Sequence, residues 1–371
     1  MQVPHKTKRA IPHTGGFSLV EIMVALVIGM LACIVMLQVF ALSEERKRTS
    51  TGASDAQSNG VMMFYQLQRD IGQAGFGFNS ATVFNCNTTW KVASGSDIAT
   101  PIPLAPVTIN PPATIVPAGD ANTDTLLVMY GNGNGQPQGV EIKFGTSEYT
   151  VTLPLEFKQN DRVIAAAGGC GAASLFIDQV TQDITQVSDK VKVATGFAGD
   201  MLYNLGQSPT VLAYRIHKGN LTVCDYLVND CSLDAKKDDA SIWTPIAPNV
   251  VSLRAQYGRD TTGTMDNIPD VYHQITPGSA SDTSGIAAGC GWARIPAVRL
   301  ALVTRSGQYD KEEVTASAPT WAASAADNPA GSTAAAINLS GNTDWKHYRY
   351  KTFEGLMPIR NVTWLGVPQG C

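Results

Sequence analysis

Gly15-Gly16-Phe17-Ser18-Leu19-Val20-Glu21 opens an apolar run whose reading decides the fold. Ahead of it stand Lys6, Lys8 and Arg9 with no acidic residue, and from Phe17 to Leu42 Glu21 is the sole charged side chain. A run of this length and composition predicts a membrane-spanning helix. At 1.5 Å per residue it measures roughly 39 Å against a hydrocarbon core of about 30 Å, so its end emerges into the interface. The carboxylate of Glu21, about 6 Å along the helix from Phe17, is the feature that needs a reason.

Two plain explanations exist. Ser18 and Glu21 have the spacing of a capping box, which would serve the helix start and nothing more. Alternatively the segment is an ordinary signal peptide, but no small-residue cleavage site closes a short apolar region here, and the run is too long. An ionisable group at membrane depth is costly and usually has a partner or a task.

A basic leader ending in Gly16, an aromatic Phe17 and a glutamate at the fifth position after the glycine together resemble the class III signal of type IV prepilins and pseudopilins. The resemblance implies cleavage between Gly16 and Phe17 by a prepilin peptidase, then N-methylation of Phe17. It also gives Glu21 a role: the freed α-amino group of one subunit neutralises the buried carboxylate of a neighbour, which fixes subunit register.

At 371 residues, with 44% hydrophobic and 16% charged content, the chain can bury a sizeable core beyond the helix. Its net charge is −4, and loss of three leader cations leaves 24 basic against 31 acidic side chains, or −7. Nothing here suggests a nucleic-acid-binding surface. Cys33 lies in the apolar span, leaving Cys86, Cys170, Cys224, Cys231, Cys290 and Cys371, an even set that fits an oxidising compartment such as a periplasm. Six cysteines allow fifteen pairings. Cys224 with Cys231 is favoured because the polar stretch Asp225 to Asp230 can close a hairpin; Cys86 with Cys170 and Cys290 with Cys371 is the preferred completion, with the others open. Charge alone leaves orientation undecided, since Arg46, Lys47 and Arg48 beyond the span match the leader's cations. The resemblance and the cysteines place the leader inside and the bulk in the periplasm.

Beyond the membrane the helix is expected to continue through about residue 77, with Val61, Phe64, Leu67 or Gln68, and Ile71 at helical spacing. Gly52 and Gly60 predict a kink or a frayed turn, and Gly72, Gly75 and Gly77 predict its end. Prolines at 101, 103, 106, 111, 112 and 117 predict a long surface loop over 79–122. Strands are expected at Thr125–Tyr130, Val140–Phe144, Tyr149–Leu153, Val191–Thr195, Val211–Ile216, Leu221–Tyr226, Val250–Tyr257, Ala297–Thr304, His347–Phe353 and Met357–Trp364. Leu175 to Val187 suits helix or strand equally, and Gly131 to Gly135 reads as a flexible turn. Further loop insertions are expected near 260–290 and 315–342. The fold class is therefore α+β: a long pilin-like N-terminal helix (1–16 leader, 17–42 span, 43–77 continuation), then a mainly antiparallel β head over 78–371.

The helix end Gln66-Leu67-Gln68-Arg69-Asp70-Ile71-Gly72-Gln73-Ala74-Gly75-Phe76, with Val250 to Gly258, Val298 to Ser306, Tyr348 to Phe353 and Pro358 to Asn361, resembles the PilW family of minor pilins and, more distantly, the J pseudopilin of type II secretion. That resemblance implies a minor pilin of a priming or tip complex. Its partners would be the prepilin peptidase, other minor pilins and the major pilin, the inner-membrane assembly platform and membrane lipid, with no cofactor. Alternatives are a secretion pseudopilin, a tip adhesin or DNA-uptake subunit, and a tethered enzyme. Against the enzyme, His217, His273 and His347 lack metal-ligand spacing, and no nucleophile elbow or phosphate loop occurs. Asp260, Asp266 and Asp270 in one loop form a weak calcium candidate, without the EF-hand spacing; a solvated acidic turn is the plainer reading.

Overall fold

A computed structural model describes residues 16–92, 95–170, 174–184, 190–322, 328–329 and 335–371. The chain divides into two compact units, Met1–Thr51 and Gly52–Cys371. The architecture is α+β, with an N-terminal apolar helix and a mainly antiparallel β domain.

Helix α1 runs from Leu19 to Gln73. In the first unit the stretch Leu19–Glu44 is long and apolar enough to cross a membrane, and its large apolar side chains are exposed throughout. In the second unit the buried positions among those described are Ala56, Gly60, Met63, Leu67, Asp70, Ile71 and Ala74, a single helical face. Val61 falls outside that face at 52% exposure. The helix assignment is continuous through Gly52 and Gly60, so the frayed turn expected there does not form. Gly60 serves packing instead: a Cβ there would collide with the Phe353 ring. The helix ends where expected, with Gly75 and Gly77 at φ +83° and +88°; a Cβ on Gly77 would lie 2.9 Å from the Asn204 carbonyl.

The expected surface loop over 79–122 is instead largely interior. It contains β1 (Asn87–Thr89), β2 (Ile102–Pro103) and β3 (Val107–Ile109), and it buries Trp90, Ile102, Leu104 and Val107. Prolines are tolerated because these strands are two or three residues long and need few ladder bonds. Strand β4 (Leu126–Tyr130) follows.

Next comes a small closed barrel: β5 (Val140–Phe144), β6 (Glu148–Val151), β7 (Arg162–Ala166), β8 (Leu175–Gln179), β9 (Lys190–Lys192) and β10 (Met201–Gly206). Their order is β8-β7-β10-β5-β6-β9. The ring closes where Thr181 N–H donates to Lys192 O and Ala194 N–H to Gln179 O, both at 2.9 Å. Inside lies a separate core containing Ile142, Tyr149, Phe157, Val163, Val180, Val191 and Leu202. Strands β1 and β2 extend the ladder, β1 joining β8 in parallel. The ambiguous stretch Leu175 to Val187 thus begins as a strand; residues 185–187 lie outside those described. Gly131 to Gly135 forms the barrel's neck, not a free turn. Gly131 N–H donates to Phe76 O at 2.8 Å, and a Cβ on Gly131 would lie 2.8 Å from Leu205 O.

After the barrel the chain resumes with β11 (Thr210–His217), which pairs with β4, then β12 (Asn220–Asp225) and β13 (Thr244–Pro248). These form an antiparallel sheet ordered β13-β12-β11-β4-β3. A third sheet comprises β14 (Val250–Arg259), β15 (Val271–His273), β16 (Ala297–Arg305, after the short helix α2, Ala288–Ala293), β18 (Asn328–Pro329) and β20 (Tyr350–Pro358). Its order is β18-β15-β14-β16-β20. Strands β17 (Thr320–Trp321) and β19 (Ala335–Ala336) pair with each other, and Trp321, Ile337 and Leu339 pack on Ala301 and Val303. Part of the expected loop 315–342 therefore covers a sheet face, as its apolar residues require. Met357 to Trp364 is strand only as far as Pro358, which has no N–H to continue the ladder; helix α3 (Arg360–Leu365) follows.

The main core joins the α1 face (Met63, Leu67, Ile71) to sheet residues such as Leu126, Val128, Tyr214, Leu253, Tyr257, Val298 and Met357. Full burial of each large apolar side chain contributes roughly 1.5–3 kcal/mol.

Candidate functional site: the N-terminal helix and its seat in the β domain

At the N-terminal end Gly16 is exposed, has no positive φ, and a Cβ there would meet nothing within 4 Å. Neither space nor backbone geometry demands glycine at this position. Helix α1 starts at Leu19, and Ile22 N–H donates to Ser18 O at 3.1 Å, which puts Ser18 at the cap. Phe17 is 78% exposed, and Glu21 stands in the exposed first turn. Among the described residues no capping-box bond joins the Glu21 side chain to the Ser18 N–H, so helix capping does not account for the carboxylate.

At its other end α1 is fixed by Asp70, which sequence reasoning passed over. Asp70 is 0% exposed on the buried helix face. The Tyr214 hydroxyl donates to Asp70 Oδ2 at 2.7 Å and the Tyr130 hydroxyl to Oδ1 at 3.1 Å, so the carboxylate ties α1 to β11 and β4. Arg69 lies 3.2 Å from Oδ1, its side chain 58% exposed. Burial, reinforced by the adjacent Asp70 charge, holds Tyr214 far above the ordinary tyrosine range; burial likewise raises Tyr130. The Asp70 charge in turn raises Arg69. A carboxylate among Leu67, Ile71 and Ala74 was the available signal. The helix end is closed by Asn361, whose Nδ2 donates to Gln73 O at 2.9 Å and Ala74 O at 3.1 Å.

Disulfides join Cys86 to Cys170, Cys224 to Cys231 and Cys290 to Cys371. The first ties the segment after α1 to the barrel, the second closes the turn after β12, and the third holds α2 to residue 371. Cys33 is free and exposed on α1.

The acidic loop is organised as turns. Asp260 Oδ1 accepts Thr262 N–H at 2.9 Å and Oδ2 accepts Asn267 N–H at 2.8 Å; Asp270 Oδ2 accepts Thr261 N–H at 2.7 Å; Asp266 Oδ1 accepts Ile268 N–H at 2.9 Å. The carboxylates face N–H donors of their own loop and do not converge as a calcium cage would. Among the described residues no group of three His, Cys, Asp or Glu is placed to hold a metal. His217 meets Asp238 at 2.8 Å and His347 Nδ1 meets Asp310 O at 2.8 Å, at separate places.

Residues 12–37 match the family profile described as the prokaryotic N-terminal methylation motif. Residues 223–361 match that of the type IV pilus-assembly protein W, PilW. The second match takes in β13, the whole third sheet and Asn361. The barrel lies outside both matches. No curated protein and no solved structure matches the chain. The chain thus resembles methylation-motif prepilins over residues 12–37 and the PilW family over residues 223–361.

Proposed function

We propose, for a type IV pilus-related pilin with a methylation-motif N-terminus and a PilW-type C-terminal region, that it is a minor pilin of a priming or tip complex in pilus assembly. The observation that carries this reading is the combination, in one chain, of an exposed apolar helix behind the methylation motif with a β domain matched to a pilus-assembly family. A helix with apolar side chains on every face suits lipid first and the helices of other pilins afterwards. The pilin-family regions point to a structural role.

In this account a prepilin peptidase cuts between Gly16 and Phe17, which explains a glycine the fold does not need. Phe17 is then N-methylated, and Glu21 accepts the α-amino group of a neighbouring subunit, so that two desolvated charges neutralise each other. The chain sits in the inner membrane with its β domain in the periplasm, where the three disulfides persist. Its partners are the peptidase, the other minor pilins, the major pilin and the assembly platform.

Mass spectrometry of sheared, purified pili tests the assignment. The account expects a minor amount of this chain beginning at Phe17 and carrying one methyl group. Its absence from pili, or its presence there with residues 1–16 attached, would count against it.

A further inference from the structure

On the face of the third sheet turned away from the main core lies a cleft of about 440 Å³, a size suited to a small ligand. Leu253, Ala255 and Tyr257 of β14 point into the core, so by strand alternation Arg254 points the other way, into this cleft. Asn122, Gln274, Trp321 and Asn338 also line it.

Three of the polar side chains here, Arg254, Gln274 and Asn338, are held in place by hydrogen bonds or an ion pair. Asp124, 3% exposed, accepts from Asn110 Nδ2 (3.0 Å), Ala255 N–H (2.9 Å) and Gln274 Nε2 (2.7 Å), and pairs with Arg254 Nη1 at 3.2 Å. Gln274 Nε2 also donates to Ala255 O at 2.8 Å, so its two amide hydrogens are committed and its carbonyl remains as an acceptor. Asn338 Oδ1 accepts Ser340 N–H at 3.0 Å, leaving its NH₂ as a donor. The exposed Asn122 amide supplies both kinds of group. Trp321, packed on Ala301 and Val303, forms an apolar part of the wall.

Donors and acceptors beside an apolar wall, those of Gln274 and Asn338 held by their own hydrogen bonds, suit a ligand rich in groups that both donate and accept, as a hydroxyl does. Charge narrows the choice further. Asp124 already pairs with Arg254, so that guanidinium is not an unpaired cation that would select an anion. We infer that this cleft binds a neutral oligosaccharide, a role separate from assembly and independent of the pilus reading.

The test uses the full-length chain in a detergent without a sugar headgroup, on an array of neutral oligosaccharides ending in galactose, fucose, mannose or N-acetylglucosamine, alongside sialylated counterparts. Neutral members should bind. Asn122 has φ +62°, a conformation glycine adopts without strain, so Asn122→Gly removes the amide and keeps the backbone. That variant, or Asn338→Ala, should weaken binding at least tenfold while thermal unfolding stays unchanged. No glycan bound, sialylated glycans alone bound, or neutral binding unaltered in both variants would each overturn the inference.

Discussion

Replacing Asp70 by alanine should loosen α1 from its seat in the β domain. The substitution removes the charged acceptor of two buried hydroxyls, Tyr214 at 2.7 Å and Tyr130 at 3.1 Å, and leaves them only the neutral side chains of Gln66 and Thr210 as partners. A hydrogen bond to a charged group contributes about 1.5–3 kcal/mol, so the two together amount to about 3–6 kcal/mol. Against this, alanine relieves the desolvation of the carboxylate, so the gross figure is cut back to a net loss of about 2–4 kcal/mol. The pair with Arg69 adds little, because that guanidinium is 58% exposed. Asp70→Asn keeps one acceptor oxygen and should cost about 1–2 kcal/mol, as should Tyr214→Phe alone. Denaturant unfolding of the detergent-solubilised chain measures this, through the midpoint at unchanged slope. A loss below about 0.5 kcal/mol for Asp70→Ala would refute the claim that this carboxylate fastens the helix.

Glu21→Ala should leave cleavage after Gly16 intact, by immunoblot mobility, while reducing incorporation into sheared pili; normal incorporation would defeat the charge-pairing role. Gly16→Val should leave the longer, unprocessed chain in the membrane, and normally trimmed protein would remove the cleavage assignment. Cys290→Ser opens a link spanning 81 residues and should cost up to about 4.5 kcal/mol by chain entropy, read as a lower denaturant midpoint. Alkaline pH should destabilise the β domain: burial holds Tyr214, Tyr226 and Tyr257 above their ordinary value, so above about pH 10 the unfolded chain loses protons that the folded one keeps. Their contribution is whole below that pH and falls by about 1.4 kcal/mol per group per unit above it, which unfolding midpoints at pH 8 and 11 compare directly.

Legibility in the sequence followed the physics of each segment. The apolar run behind Gly16 was readable because one long helix with one charge has few alternatives in composition. Strands such as β5, β11 and β16 were readable from β-branched and aromatic content between glycine and asparagine breaks. Strands β7 and β10 were not, because RVIAA and MLYNLG are buried almost throughout and show no alternation. Closure of the barrel rests on pairing between Gln179–Thr181 and Lys192–Ala194, contacts that no local pattern announces. The prolines of 79–122 signalled irregular backbone correctly and exposure incorrectly, since proline limits ladder bonds and does not prevent burial. Gly60 read as a helix breaker because propensity is local, whereas its reason, the Phe353 ring, lies nearly three hundred residues away.

The most direct test of the assembly account compares a strain lacking this chain with its parent, measuring sheared surface pili and the secreted-protein profile together. The account predicts few or no pili with normal secretion, restored by the intact gene. Normal pili with failed secretion would contradict it and move the chain to the secretion pseudopilins.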